Sequence, residues 1–150
     1  MAQSADLSHT DFELDGNLRE LGHLVEQVEQ FCRAAGLDGE AAFELNLVLE
    51  ELFTNAVRHG GCKGMKRAAA VRLDALERGG VALEFRDRGA PFDPTVAPPP
   101  DLAAPLAERH AGGLGIHLVR QTMRDIEYRR TGEWNRLTMR REGKHEGRTI

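Results

Sequence analysis

What this 150-residue chain lacks narrows its class before any motif is read. No apolar run approaches the roughly 20 residues needed to cross a bilayer, so no membrane partner is expected. Met1 to Thr10 carries no basic segment followed by an apolar one, so no secretory leader is expected either. Cysteine is confined to Cys32 and Cys62, far apart and in no metal or redox spacing, which reads as two reduced thiols of a cytoplasmic protein. His9, His23, His59, His110, His117 and His145 are scattered and suggest no metal cluster. A net charge of -4 gives no electrostatic reason to expect nucleic acid as a partner. No G-x-x-x-x-G-K-[ST] occurs, which excludes a P-loop. A full G-x-G-x-x-G is missing as well, because Leu118 stands where the third glycine would be and a proline-rich stretch precedes it instead of a strand. No internal repeat and no second core are visible.

What remains is one globular domain, 41% hydrophobic and 29% charged, long enough to bury a core without staples. Phe12 and Leu14 among polar neighbours predict a short first strand. Asn17, with Glu20 three residues on, predicts a capping box for a helix carrying Leu18, Leu21, Leu24, Val25, Val28, Phe31 and Cys32 and ending at Gly36. Asp38 can cap a second helix, with Glu40 in its first turn and Leu45, Val48, Leu49, Leu52, Phe53 and Ala56 as its apolar stripe; Gly60-Gly61 ends it. The period then falls to two. Ala69, Val71, Leu73 and Ala75, followed by Val81, Leu83 and Phe85, predict a hairpin whose turn draws positive backbone angles from Gly79-Gly80.

From Thr95 to Ala111 no periodicity survives, and Pro98-Pro99-Pro100 and Pro105 exclude regular structure over most of it. A loop of that length is either a functional lid or disordered; here it marks a flexible lid over about residues 93–112. Gly112-Gly113-Leu114-Gly115 opens a third helix with Ile116, Leu118, Val119 and Met123. A last hairpin runs through Ile126 and Tyr128, turns at Thr131-Gly132-Glu133 and returns through Trp134, Leu137 and Met139. From Arg140 the chain is polar and reads as fraying, with the core over about 10–141 and a tail over 142–150. This order predicts the α+β class: a two-layer sandwich of three helices on one face of a mostly antiparallel, mixed sheet.

Three polar elements sit on this scaffold. Glu44, Glu51, Asn55 and Arg58 form a line beside the apolar stripe of the second helix, the last three about one turn apart and Glu44 two turns before Glu51. An amide oxygen at Asn55 suits Mg2+, which takes oxygen ligands together with phosphates and waters, and Glu51 one turn back is placed as a general base. Asp87 ends a strand before Gly89; its carboxylate can accept from an exocyclic amine such as adenine's, and the bare glycine would let a base lie against the backbone. An ordinary Asp-x-Gly turn has the same residues. The glycine-rich helix start offers free N–H groups to phosphate, as an ordinary helix start also does. Glu44 reads as solvated, and His59 as structural.

In this order the three elements resemble the boxes of the GHKL, or Bergerat-fold, ATPases. Glu51-x-x-x-Asn55 is similar to the N box, Asp87-x-Gly89-x-Pro91-Phe92-Asp93 to the G1 box and Gly113-Leu114-Gly115-Ile116 to the G2 box. Within that superfamily, Glu51-Leu52-Phe53-Thr54-Asn55-Ala56-Val57-Arg58-His59-Gly60 and Gly112-Gly113-Leu114-Gly115-Ile116-His117-Leu118-Val119-Arg120 resemble the bacterial anti-sigma factor serine kinases. Tyr128-Arg129-Arg130 and Asn135-Arg136-Leu137-Thr138 resemble their closing hairpin, so the likeness covers about residues 10 to 141.

The resemblance implies the Bergerat ATP-binding fold and a role for each matching residue. Glu51 would be the catalytic base and Asn55 the Mg2+ ligand, with Arg58 on phosphate. Asp87 would hold the adenine amine, with Gly89 beneath the ring, and Gly113, Leu114 and Gly115 would cradle phosphates. Some relatives carry arginine at the place of Leu114, which removes a side-chain contact there. Thr138 would support the adenine side, and Arg109 reads as a solvated loop residue. The implied activity is that of an ATP- and Mg2+-dependent protein serine kinase that phosphorylates a STAS-domain anti-anti-sigma protein and binds a sigma factor or similar client, commonly as a homodimer. A non-catalytic, nucleotide-dependent switch of the same fold is the alternative. A sensor histidine kinase fits less well, with no room for a phosphoacceptor hairpin before residue 17; gyrase-type ATPases would need a transducer domain after residue 141.

Overall fold

Among the described residues, five strands and three α-helices carry most of the buried apolar side chains. A computed structural model describes residues 9–96 and 113–143. The strands are β1 (His9–Leu14), β2 (Ala69–Ala75), β3 (Val81–Asp87), β4 (Arg124–Thr131) and β5 (Trp134–Arg141), in the order β1-β2-β3-β5-β4. All four pairings are antiparallel, so the mostly antiparallel sheet is wholly so. The helices are α1 (Leu21–Ala34), α2 (Gly39–Arg58) and α3 (Gly113–Thr122). A one-sided stripe on each helix must be buried against something, and the inward face of the sheet receives it. Leu24, Val28 and Phe31 of α1 and Leu45, Val48, Leu49, Leu52 and Phe53 of α2 close on Leu14, Val71, Leu73, Val81, Leu83, Phe85, Leu137 and Met139. Val119 of α3 and Met123 just after it complete the core.

Local chemistry explains the boundaries. Asp38 Oδ1 accepts from Ala41 N–H at 3.0 Å and caps α2. The capping box expected at Asn17 closes differently. Asn17 Oδ1 accepts from Arg19 N–H at 2.9 Å, but Glu20 Oε2 accepts from Asp15 N–H at 2.8 Å, two residues upstream of the expected donor. Leu18–Glu20 is therefore a single 3-10 turn, and α1 starts at Leu21. In the β2–β3 turn the positive angles fall on Arg78 (φ 60°) and Gly79 (φ 81°), while Gly80 is extended. Gly80 is small for another reason: a Cβ there would lie 3.1 Å from the Arg141 carbonyl oxygen.

Two expectations near the end of the chain are corrected. Arg140 and Arg141 do not fray; they are the last residues of β5, and Arg141 is buried. Glu44 is not solvated, because its Oε1 accepts from Arg141 Nε at 2.7 Å, joining α2 to the end of β5. The expected lid over 93–112, apart from Asp93 and the 3-10 turn Pro94–Val96, and the tail beyond 143 lie outside the described residues, as does Arg109.

Candidate active site

Strand register decides which polar residues face the helices. Leu14, Ala69, Asp87, Asn135 and Arg130 form one row across the sheet, and Phe12, Val71, Phe85, Leu137 and Tyr128 form the next. Asp87 and Asn135 thus stand on the inward, helix-covered face at its last row. Together with Leu52, Asn55, Ala56, His59 and Gly60 of α2 and its end, and Ala90, Pro91, Phe92 and Pro94 beyond β3, they line a cavity of about 240 Å³ whose inner walls are Phe85 and Leu137. Phe92, 54% exposed, stands at its mouth.

The Asp87 turn is held from three directions. Gly89 N–H donates to Asp87 Oδ1 at 2.8 Å, and Ala90 N–H donates to the Gly60 carbonyl at 2.8 Å. Asn135 Nδ2 donates to Asp87 Oδ1 at 3.0 Å and to the Ala90 carbonyl at 2.9 Å, with Gly89 O at 3.3 Å. Arg130 donates to Gly89 O at 2.7 Å, and the Tyr128 hydroxyl donates to Asn135 Oδ1 at 2.6 Å. Burial pushes the Asp87 carboxyl above its ordinary range, against the opposing pull of the Asn135 amide, the Gly89 N–H and the Arg130 charge. Gly89 is required here by its own packing: a Cβ would sit 2.5 Å from the Gly60 carbonyl oxygen, so the bare glycine admits the end of α2.

Of the residues singled out in the sequence, Asn55 and Asp87 are brought together on the cavity wall, with Gly89 in the turn behind Asp87. His59 also lines the cavity, exposed at the end of α2, so it is not a core residue. Glu51 is half-exposed one turn before Asn55 and is not among the lining residues. Arg58 is not brought to this cavity. It borders a second depression with Asn17, Leu18, Val57, Lys63 and Gly64. Thr138 is not brought to it either: three residues beyond Asn135, it points to the opposite face of β5, in the row of Glu84 and Glu127. Gly113, Leu114 and Gly115 form the first turn of α3, which Arg120 ties to the stretch after β3 by donating to the Pro94 carbonyl.

Asn135 is the cavity residue that reading the motifs alone passes over. Its signal is parity: Asn135, Leu137 and Met139 share one face of the strand, so an amide sits where an apolar residue would be expected.

A family model described as the histidine kinase-like ATPase domain matches residues 14–141. The chain belongs to that family. A protein from Bordetella bronchiseptica, named serine/threonine-protein kinase BtrW, is 37% identical over 97 residues, which is 65% of this chain and 68% of BtrW. The fold is also that of a solved Mycobacterium tuberculosis structure containing RsbU and RsbW domains. The TM-score is 0.61 at 15% identity, over 91% of this chain and 34% of that one, so this chain spans about a third of its length. The histidine kinase-like ATPase assignment agrees with the cavity. Its apolar walls suit a flat ring, its one half-buried carboxylate suits an amine on that ring, and Asn55 offers an amide oxygen nearby. Among the described residues no group of three or more His, Cys, Asp or Glu could hold a metal. A Mg2+ ion at Asn55 would therefore draw its other oxygens from phosphates and water, as that ion commonly does.

Proposed function

We propose that this chain is an ATP- and Mg2+-dependent protein serine kinase of the anti-sigma type, which phosphorylates a STAS-domain antagonist and binds a sigma factor or similar client. The observation that carries the reading is the Asp87 carboxylate at the base of an apolar cavity that also presents Asn55. An ionised carboxylate only accepts, so it selects a base bearing an amine, while Leu52, Phe85 and Leu137 supply contact for the ring. Asn55 would hold Mg2+, which when bound neutralises phosphate charge. Gly113, Leu114 and Gly115 would turn backbone N–H groups of the α3 start toward the phosphates. Glu51 would take the proton of the substrate serine as its oxygen bonds to the γ-phosphorus and the bond from that phosphorus to ADP breaks. The kinase name of the Bordetella relative supports this reading. A homodimer and a cytoplasmic setting complete the proposal, the latter in keeping with two free, buried cysteines.

One observation favours a second reading, a non-catalytic nucleotide-dependent switch of the same fold: Glu51 does not line the cavity. Incubation with radiolabelled ATP, Mg2+ and candidate STAS proteins separates the two. Labelled phosphoserine on a STAS protein is the expected result. Nucleotide binding by calorimetry without phosphoserine would select the switch.

A further inference from the structure

The closing hairpin holds a network that nucleotide binding does not by itself require. The Asn135 amide has two hydrogens, and every group near its nitrogen is an acceptor: Asp87 Oδ1, Ala90 O and Gly89 O. Its oxygen accepts from the Tyr128 hydroxyl. Reversing the amide would set an oxygen against three acceptors, so chemistry alone fixes its orientation. Asn135 is only 5% exposed, which makes each of these partners costly to lose. The consequence falls on Asp87. Both of its hydrogen bonds from described residues, from Gly89 N–H and Asn135 Nδ2, reach Oδ1, and Oδ2 receives none from them.

We infer that Tyr128 and Asn135 are positioning residues for base recognition: they tie down Oδ1 of Asp87, leave Oδ2 as the acceptor presented to the base, and so make the site prefer an amine-bearing base over a carbonyl-bearing one. The inference rests on the nucleotide reading above. A carbonyl at the place of the amine would oppose Oδ2 acceptor to acceptor, so inosine triphosphate is the informative competitor of ATP. The groups facing Asp87 are Arg130 from β4, Cys62 from the connection between α2 and β2, and His59 across the cavity. Arg88 is turned to the other side of the sheet, over Trp134. Of the hydrogen bonds that hold the ionised form of Asp87 against burial, the one from Asn135 contributes most.

The test uses Tyr128→Phe and Asn135→Leu with two readouts. Carbon NMR titration follows the Asp87 carboxyl in the nucleotide-free protein, and calorimetry gives the affinities for ATP and inosine triphosphate. Losing the neutral hydrogen bond in Tyr128→Phe is expected to weaken ATP by about 3- to 10-fold, leave inosine triphosphate nearly unchanged and move the Asp87 titration to higher pH. Asn135→Leu should act in the same direction and further. Should it fail to fold, Tyr128→Phe keeps the half-exposed ring and carries the test alone. A purely structural role would lower stability without moving either the titration or the ATP preference, and that result overturns the inference. If the wild type binds neither nucleotide, the nucleotide reading and the base preference both fall. The titration then still decides whether the pair sets the state of Asp87.

Discussion

At the sheet end of the cavity the polar groups are tied to one another: Tyr128 to Asn135, Asn135 to Asp87 and Ala90, and Arg130 to Gly89. At the helix end, Asn55 stands half-exposed and His59 exposed, with Glu51 half-exposed one turn back and outside the cavity lining, and none of the three side chains makes a hydrogen bond to a described residue. The two ends share one cavity but not one design. A recognition surface works best when its acceptors are fixed before the ligand arrives, since each ordered group then costs nothing more on binding. A metal ligand and a base need room for partners that come with the nucleotide and the protein substrate. The contrast therefore matches the proposed division between base recognition at the sheet and phosphoryl transfer at α2.

That contrast can be broken by substitution. The largest effect is expected for Glu51→Ala, which should lower phosphotransfer to a STAS protein by about 100- to 10,000-fold while leaving ATP affinity within twofold. A kinase assay showing undiminished transfer would remove the base from the helix end. Asp87→Asn should weaken ATP about 10- to 100-fold by calorimetry, because it replaces a charge-assisted acceptor. The pH dependence follows from the sign of the Asp87 shift. Burial raises its pKa, so the folded chain holds this proton more tightly than the unfolded one. Its contribution to stability is complete below the ordinary aspartate range and is lost as pH rises through the raised value. Affinity runs the other way, since the ionised form is the stronger, charge-assisted acceptor for an amine: ATP binding should fall as pH is lowered through that value, and Asp87→Asn should lack this limb.

Gly89→Ala comes next, at about 1–3 kcal/mol of stability by denaturant titration, because its Cβ would meet the Gly60 carbonyl oxygen at 2.5 Å. Smallest of all, Arg58→Ala and Thr138→Val should leave ATP affinity within twofold. A larger loss from either would mean that the cavity bounded by Asn55 and Asp87 is only part of the nucleotide site.

Much of the scaffold is legible in the sequence because burial imposes a period. The stripe from Leu45 to Ala56 and the alternation in Val71, Leu73, Leu83 and Phe85 return as the two halves of the core. The Asp87 turn is legible in part: Asp-x-Gly at the end of an apolar strand reads equally as an ordinary turn, and only its order with Glu51-x-x-x-Asn55 and Gly113-x-Gly115 points to a site. On β5 the deciding information is parity. Thr138 resembles a site residue by type, but an odd separation from Asn135 puts it on the face opposite the cavity. Arg58 shows a different limit on a helix: spacing keeps it on the general face of Asn55, but as the last residue of α2 it borders the depression of Asn17 and Lys63 instead of the cavity. The pairing of Glu44 with Arg141 spans 97 positions, and nothing local to either residue announces it.

The row Ala69–Asp87–Asn135 has a consequence for how the gene can vary. Leu137 and Met139 must face the core, and that demand puts Asn135 on the same face as Asp87, while the strand register sets the two opposite each other. A slip of β5 by one residue would turn both apolar side chains to water and unmake the sheet, so it is removed by selection on folding. A slip by two would keep them buried but carry Asn135 about 7 Å along the strand from Asp87. Length changes at the Thr131–Glu133 turn that shift the strand by an even number are thus the ones that yield a soluble, folded protein blind to its base.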